Sequence, residues 1–333
     1  MVLPGTHPRA FWALCAGRLV NQVGAFSLAF LTLLMTQRGH LTVPQAGLVM
    51  AAFSLATFPS RLLGGRLADL WSRGGAMVLG LVLTAIAQLA LFEFTQVTAL
   101  IGAAVALGLA FEIYEPGSDA LVVDSTTAAN RSAAYGILSM CMEIGSVTAG
   151  LLAAVLAGFG VRWLFLADAV SCLAAAGIIA LLTGPVLAES ALSRSDLRDR
   201  VRPRGEVRAR GEVRPGGAVH SGGRARPRVA DSRLLKLTLL ACLYATCYFA
   251  LLSVLPLTMV RRHVSASGLG IVLAVSSAVG ICVVPLAIRV LKGVPDRVVL
   301  SWAYLVMAAG FVLTGQSRSL AEFIGSAVVW TVG

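Results

Sequence analysis

Apolar residues run along this chain in long blocks of about 18–25, separated by short polar steps. Blocks of that length carry an α-helix across a hydrocarbon core about 30 Å thick, whereas the buried segments of water-soluble folds are shorter. They predict spans at residues 11–36, 44–63, 76–94, 97–118, 135–158, 162–183, 236–260, 267–291 and 298–315, with a tenth starting near 319. The third and fourth are divided only by the polar step from Glu93 to Thr98. Each span must be helical, because lipid offers no partner to an unpaired backbone group. The expected fold class is therefore an all-α membrane protein.

One stretch breaks the pattern. Residues 184–233 contain almost no large apolar side chain, alternate Arg with Gly and Pro, and repeat RGEVR at 204–208 and 210–214. Such a composition cannot bury a core and predicts a disordered linker. It divides the chain into a six-helix bundle at 1–183, the Arg-rich linker at 184–233 and a second transmembrane bundle at 234–333. The second bundle holds four predicted spans where the first holds six, so a matching half is expected to continue for two more.

Composition sharpens this picture. Hydrophobic residues make up 57% of the 333 and charged residues 13%, too little polar surface for a chain dissolved in water. The net charge of +11 would suit a nucleic-acid binder, but its distribution does not. Twelve arginines fall between Arg194 and Arg233, and most others sit in short connections, where they orient a membrane protein. With the N-terminus inside, the inner loops carry Arg66, Arg73, Arg131, the linker, Arg289, Lys292 and Arg297, while the outer loops carry Arg38, Arg162, Arg261, Arg262 and Arg318. No nucleic-acid partner is expected. All six cysteines lie in apolar blocks and read as small buried hydrophobes. The first block is too long for a signal-peptide core and is expected to remain as a span.

Between the second and third spans stands GGRLADLWSRGGAMVLG, residues 64–80. Gly64 and Gly65 suit close helix approach, Asp69 suits the positive end of a helix, and Arg66 and Arg73 suit the inner water boundary. Gly65, Leu67, Ala68, Asp69 and Arg73 resemble the loop signature of the major facilitator superfamily. Leu70, Ser72 and Gly74 depart from it, standing where that family usually has a basic residue, a glycine and another basic residue. FEIYEPGSDALVVDSTTAANRSAAYG at 111–136 resembles the family's connection from span 4 to span 5, VRWLFLADAV at 161–170 the start of its span 6, and VVWTVG an efflux-type tenth span. The arginine of drug-proton antiporters is absent, with Ala104 in its place, and their glycine-proline signature is incomplete, with Gly145 and Gly150 present but Ala149 and no proline. The resemblance implies a facilitator-type bundle lacking its last two spans. It also implies secondary transport of a small molecule in a multi-pass plasma-membrane protein, with Gly65, Arg66, Asp69 and Arg73 as a gate whose aspartate meets the start of the family's span 11; from their charges, Asp69 and Arg73 are further expected to pair and hold the outward-open state.

Ionisable side chains inside spans are costly and mark functional candidates. Arg18, Asn21 and Gln22 share one face of span 1 at i, i+3, i+4 spacing and are expected to line a substrate cavity or hold the bundle together. Glu143 lies about 12 Å into span 5 and is either neutral or paired, with Arg18 the nearest cation by depth. Glu112, Glu115 and Asp119 form a stripe along span 4 whose deepest member is Glu112, with inner headgroup water the preferred place for Asp119 and an alternative for Glu115. Glu143 and Glu112 are the candidates for proton coupling. Glu115, Tyr244 and Tyr248 complete the candidate cavity, and Asp168 is expected to pair with Arg162 near the outer boundary. No nucleophile elbow, HExxH, P-loop or metal-ligand pattern is present, so neither an enzyme nor a cofactor is expected. Proton-coupled efflux is the leading expectation. A nutrient or metabolite symporter and a non-transporting membrane protein are the alternatives.

Overall fold

The computed structural model describes residues 8–201, 246–247, 251–291 and 293–333. Among them the structure is helical, without strands. The first span comprises α1 (Pro8–Gly24), a 3-10 segment (Ala25–Phe30) and α2 (Leu31–Gln37). Then follow α3 (Val43–Leu70), α4 (Arg73–Glu93), α5 (Val97–Phe111), α6 (Glu115–Ser125), α7 (Arg131–Phe159) and α8 (Arg162–Val201). The second half contains α9 (Leu251–Arg261), α10 (Ala266–Val290), α11 (Asp296–Gln316) and α12 (Leu320–Val332). Among the described residues, eight helical stretches are long and apolar enough to cross a membrane, and α9 and α12 are shorter apolar helices. A helix stands at each expected position, and residues 236–245 and 248–250 of the seventh expected span lie outside the described residues.

Two boundaries differ from the sequence expectation. The fourth span continues through α6 to Ser125 rather than ending at 118. In addition, α8 continues to Val201, so residues 184–201 are helical instead of opening a disordered linker. After Pro185, the run VLAESALSRSDLRDRV is dominated by Ala, Leu, Glu and Arg, which favour helix whether or not they are buried. The remainder of the expected linker, 202–233, lies outside the described residues. The chain forms two compact units, one of Met1–Glu189 with Leu252–Gly333 and one of Ser190–Leu251, and every contact below lies within the first.

The opening hairpin of each half is built on one plan. Each turns at a histidine in the left-handed region, His40 (φ 50°) and His263 (φ 61°). Each bonds its next residue back into the preceding helix, Leu41 N–H to Met35 O and Val264 N–H to Met259 O. A hydroxyl residue, Thr42 or Ser265, then precedes α3 or α10. Ser265 accepts the Gly268 N–H at 3.2 Å, and Gln45 Oε1 reaches back to the Thr42 N–H at 2.9 Å, so a side chain caps one backbone donor at each helix start.

The two halves meet where α7 crosses α10. A Cβ on Gly150 would lie 2.5 Å from Ala274 N, and one on Gly270 would lie 2.4 Å from Ala154 N. The two helices thus present Gly-xxx-Ala to each other, at 150/154 and 270/274, and pack backbone to backbone. Within the first half, Phe11, Leu14, Met77, Leu81, Leu121 and Val122 belong to one buried cluster that α1, α4, α6, α7 and α8 share.

Candidate functional site

The centre of the bundle is organised by a break in the fourth span. Pro116 occupies the first turn of α6, lacks an N–H, and its ring excludes a helical carbonyl at residue 112, so α5 stops at Phe111. The kinked backbone needs room, and two glycines supply it. A Cβ on Gly64 would meet Ile113 O at 2.3 Å, and one on Gly80 would meet Tyr114 N at 2.9 Å. The Glu112 N–H that leaves the helix is taken up by Ser60 Oγ at 3.0 Å.

This break turns Glu112 and Glu115 towards two arginines. Arg18 Nη1 donates to Glu115 Oε1 at 2.7 Å and Nη2 to Oε2 at 3.3 Å, a two-pronged pair in which the side chains are 9% and 23% exposed. Its guanidinium also lies 5.0 Å from the centre of the Tyr114 ring and donates to Met142 Sδ at 3.5 Å. Arg18 Nε is buried with no hydrogen-bond partner among the described residues. Arg61 Nη1 pairs with Glu112 Oε2 at 3.3 Å. Glu115 therefore does not sit in headgroup water, and Arg18 is committed to it rather than to Glu143.

The three polar residues expected on one face of span 1 diverge to three helices. Arg18 reaches α6, Asn21 Nδ2 donates to Cys172 Sγ of α8 at 3.2 Å, and Gln22 Nε2 donates to Ser146 Oγ of α7 at 2.9 Å. Gln22 fits because Gly145 leaves space, a Cβ there being 2.7 Å from Gln22 Cβ. Glu143 instead faces the other half, its carboxylate 3.4 Å from where a Cβ on Gly280 of α10 would stand. Tyr244 and Tyr248 lie outside the described residues.

At the end of α3 the expected latch is rearranged. Arg73 pairs with Asp124 and donates to Ala120 O at 2.8 Å, tying α4 to α6, so it does not pair with Asp69. Asp69 is exposed in the last turn of α3 and caps no helix, because Ser72 caps α4 by accepting the Gly75 N–H at 2.9 Å. Gly64 makes the close approach, whereas a Cβ on Gly65 would have no atom within 4 Å. Arg66 is exposed, as expected at a water boundary.

A second polar cluster was not foreseen as a unit. Asp168 is 4% exposed and bonds no arginine; Ser27 donates to its Oδ2 at 2.5 Å and Gln88 Nε2 to the same oxygen at 2.6 Å. Ser171 and Cys172 approach Oδ1 at 3.4 and 3.5 Å. The expected partner Arg162 lies instead over the rings of Phe92 and Trp163, at 5.4 and 5.3 Å. Helical geometry explains the exchange: Asp168 is about 9 Å along α8 from Arg162 and points inward to α4 and the 3-10 segment. Just beyond span 1, Arg38 donates to Phe92 O and to Glu93 O, the latter at 3.2 Å. Burial and the neighbouring Arg162 lower its pKa from the ordinary arginine value, against the pull of Glu93.

The family model of the Major Facilitator Superfamily matches residues 14–333. Multidrug resistance protein 2 of Bacillus subtilis (strain 168) is 28% identical over 137 residues, which are 41% of this chain and 34% of that protein. The chain thus matches about one third of that relative's length. Among solved structures, a bacterial homolog of the human lysosomal transporter Spinster, inward-facing and occupied, has a TM-score of 0.64 at 19% identity, over 97% of this chain and 71% of that one. A D-xylose-proton symporter has a TM-score of 0.60 at 11% identity, over 97% and 79%. These structures share the fold.

Proposed function

The chain belongs to the major facilitator superfamily, and on that premise we propose that it exports a small organic molecule across the plasma membrane by alternating access, driven by protons. The observation that carries this reading is the Arg18–Glu115 pair at the broken centre of span 4, flanked by Tyr114, with a buried arginine N–H unmatched. A mostly buried, pre-formed charge pair at that depth gives a substrate's polar group a donor to meet and its apolar body an aromatic wall. Glu115, Arg18, Asn21 and Gln22 border that centre in this proposal, with Tyr244 and Tyr248 as further lining. Efflux is favoured by the multidrug resistance relative and proton coupling by the proton-symporter fold relative.

Glu143 is the proposed coupling group and Glu112 the alternate. Glu143 stands between the halves beside Gly280, where a change in its charge acts on the packing of α7 against α10. Rocking of the halves about a central site is the motion such a fold performs. The inner gate involves Gly65, Arg66, Asp69 and Arg73 in distinct parts. Arg73 braces α6, and Asp69 is left for a partner from the opposite half.

The test is flux in proteoliposomes carrying a pH gradient, with a substrate panel. Glu143→Gln is expected to abolish proton-driven accumulation while leaving substrate exchange intact. Wild-type accumulation by that variant would remove Glu143 from the mechanism and bring forward Glu112.

A further inference from the structure

Glu112 and the Arg18–Glu115 pair lie at the kink in span 4 and Glu143 lies between α7 and α10, but Asp168 occupies a different place. From helix rise, Arg18 and Glu115 lie about 6–8 Å to one side of the middle of their spans, and Ser27, Gln88 and Asp168 about 5–8 Å to the other. Around Asp168 pack the 3-10 segment of span 1, α1, α4 and the next turn of α8. They present Ser27, Asn21, Gln88, Ser171 and Cys172. Every one of these is neutral, and Cys172 alone among them can titrate. A single carboxylate charge so enclosed faces a desolvation cost that these neutral donors offset only in part.

The spacing decides what kind of cation neutralises it. Ligands around a metal ion at 2.0–2.6 Å stand roughly 3 Å or more from one another. The contacts here are 2.5 and 2.6 Å, with no room for an ion between the atoms. They match O–H···O separations, and 2.6 Å is short even for an amide N–H meeting a carboxylate. Gln88 Oε1, meanwhile, is buried without a donor among the described residues, on a side chain that is 1% exposed. Turning the amide over would only exchange that acceptor for unmatched N–H donors, so the carboxyl proton is shared instead with the Ser27 hydroxyl at 2.5 Å, whose oxygen also accepts Gln88 Nε2 at 3.1 Å.

We propose that Asp168 is a proton-binding site, protonated in the state described here, whose proton locks the 3-10 segment of span 1 against α4 and α8. The lock is tight because Gly24 leaves no slack: a Cβ there would fall 2.4 Å from Asp168 Cα and 2.3 Å from Ser171 Oγ. Losing the proton places a charge in this enclosure, and hydrating that charge requires residues 25–30 to part from α8. For transport, the site supplies a second proton-dependent step, which rests on the reading above. The lock itself does not.

Hydrogen exchange of the purified chain in lipid nanodiscs reads it without any transport. After correction for the intrinsic chemistry, protection at residues 25–30 should fall about tenfold per pH unit on the alkaline side, since opening requires one proton to leave. Asp168→Asn should flatten that slope, and Glu143→Gln should leave it unchanged. Infrared spectra at neutral pH should show a protonated-carboxyl stretch that Ser27→Ala shifts in frequency. A flat wild-type slope, a slope that survives Asp168→Asn, or the absence of a Ser27-sensitive carboxyl band would each overturn the proposal. Loss of proton-driven flux with this behaviour intact would count against the transport reading alone.

Discussion

Arg18 and Glu115 depend on each other to stay charged inside the bundle, since each is mostly buried and each satisfies the other with two hydrogen bonds. Removing one partner of a buried pair typically costs about 3–5 kcal/mol, because the other is stranded, whereas removing both can be nearly neutral. Arg18→Met and Glu115→Gln are therefore each expected to lower the unfolding temperature sharply, and the double variant to recover much of the loss. Thermal unfolding in detergent measures the cycle, and additive losses would show that the two residues do not interact. The positions of these residues were legible in the sequence but their partners were not. Periodicity places Arg18, Asn21 and Gln22 on one face, yet their side chains splay to α6, α8 and α7, and the choice depends on which neighbouring helix has a glycine or a carboxylate at that height. Asp168 was misread for the same reason. Proximity in sequence suggested Arg162, while the helix turned the carboxylate to the opposite wall.

Helices α3 and α4 carry the glycines that admit the kink of the fourth span, and adjacent glycines on α3 have opposite fates. A side chain at Gly64 would collide with the Ile113 backbone, but one at Gly65 would enter open space. Gly64→Ala should therefore destabilise by about 1–3 kcal/mol through overpacking. Gly65→Ala should be neutral or stabilising by up to about 1 kcal/mol, since alanine favours helix. Unfolding temperatures of the two variants compared side by side decide this, and equal losses would mean that the notch is not formed. The loop signature in the sequence flagged Gly65, whereas geometry assigns the packing role to Gly64. The spans themselves were readable because lipid demands long apolar runs. The kink was not, because a proline following a glutamate marks a break without saying what fills the gap.

For the whole molecule, the distribution of arginine predicts that the N-terminus and the stretch around position 220 face the cytoplasm. A single cysteine placed by His220→Cys in a background without other cysteines should react with an impermeant thiol reagent only after the cells are permeabilised. Labelling of intact cells would reverse the topology. The two-half organisation was visible in the spacing of the spans, and the repeated histidine turn supports it, although neither reveals how the halves touch. They touch through Gly150 and Ala154 against Gly270 and Ala274, where backbone meets backbone. At these four positions the seam has no long side chain to re-sort when it opens. Its friction lies outside the protein, in the acyl chains that must flow as the helices roll, and the rate of the cycle should follow membrane viscosity as a bearing follows its oil.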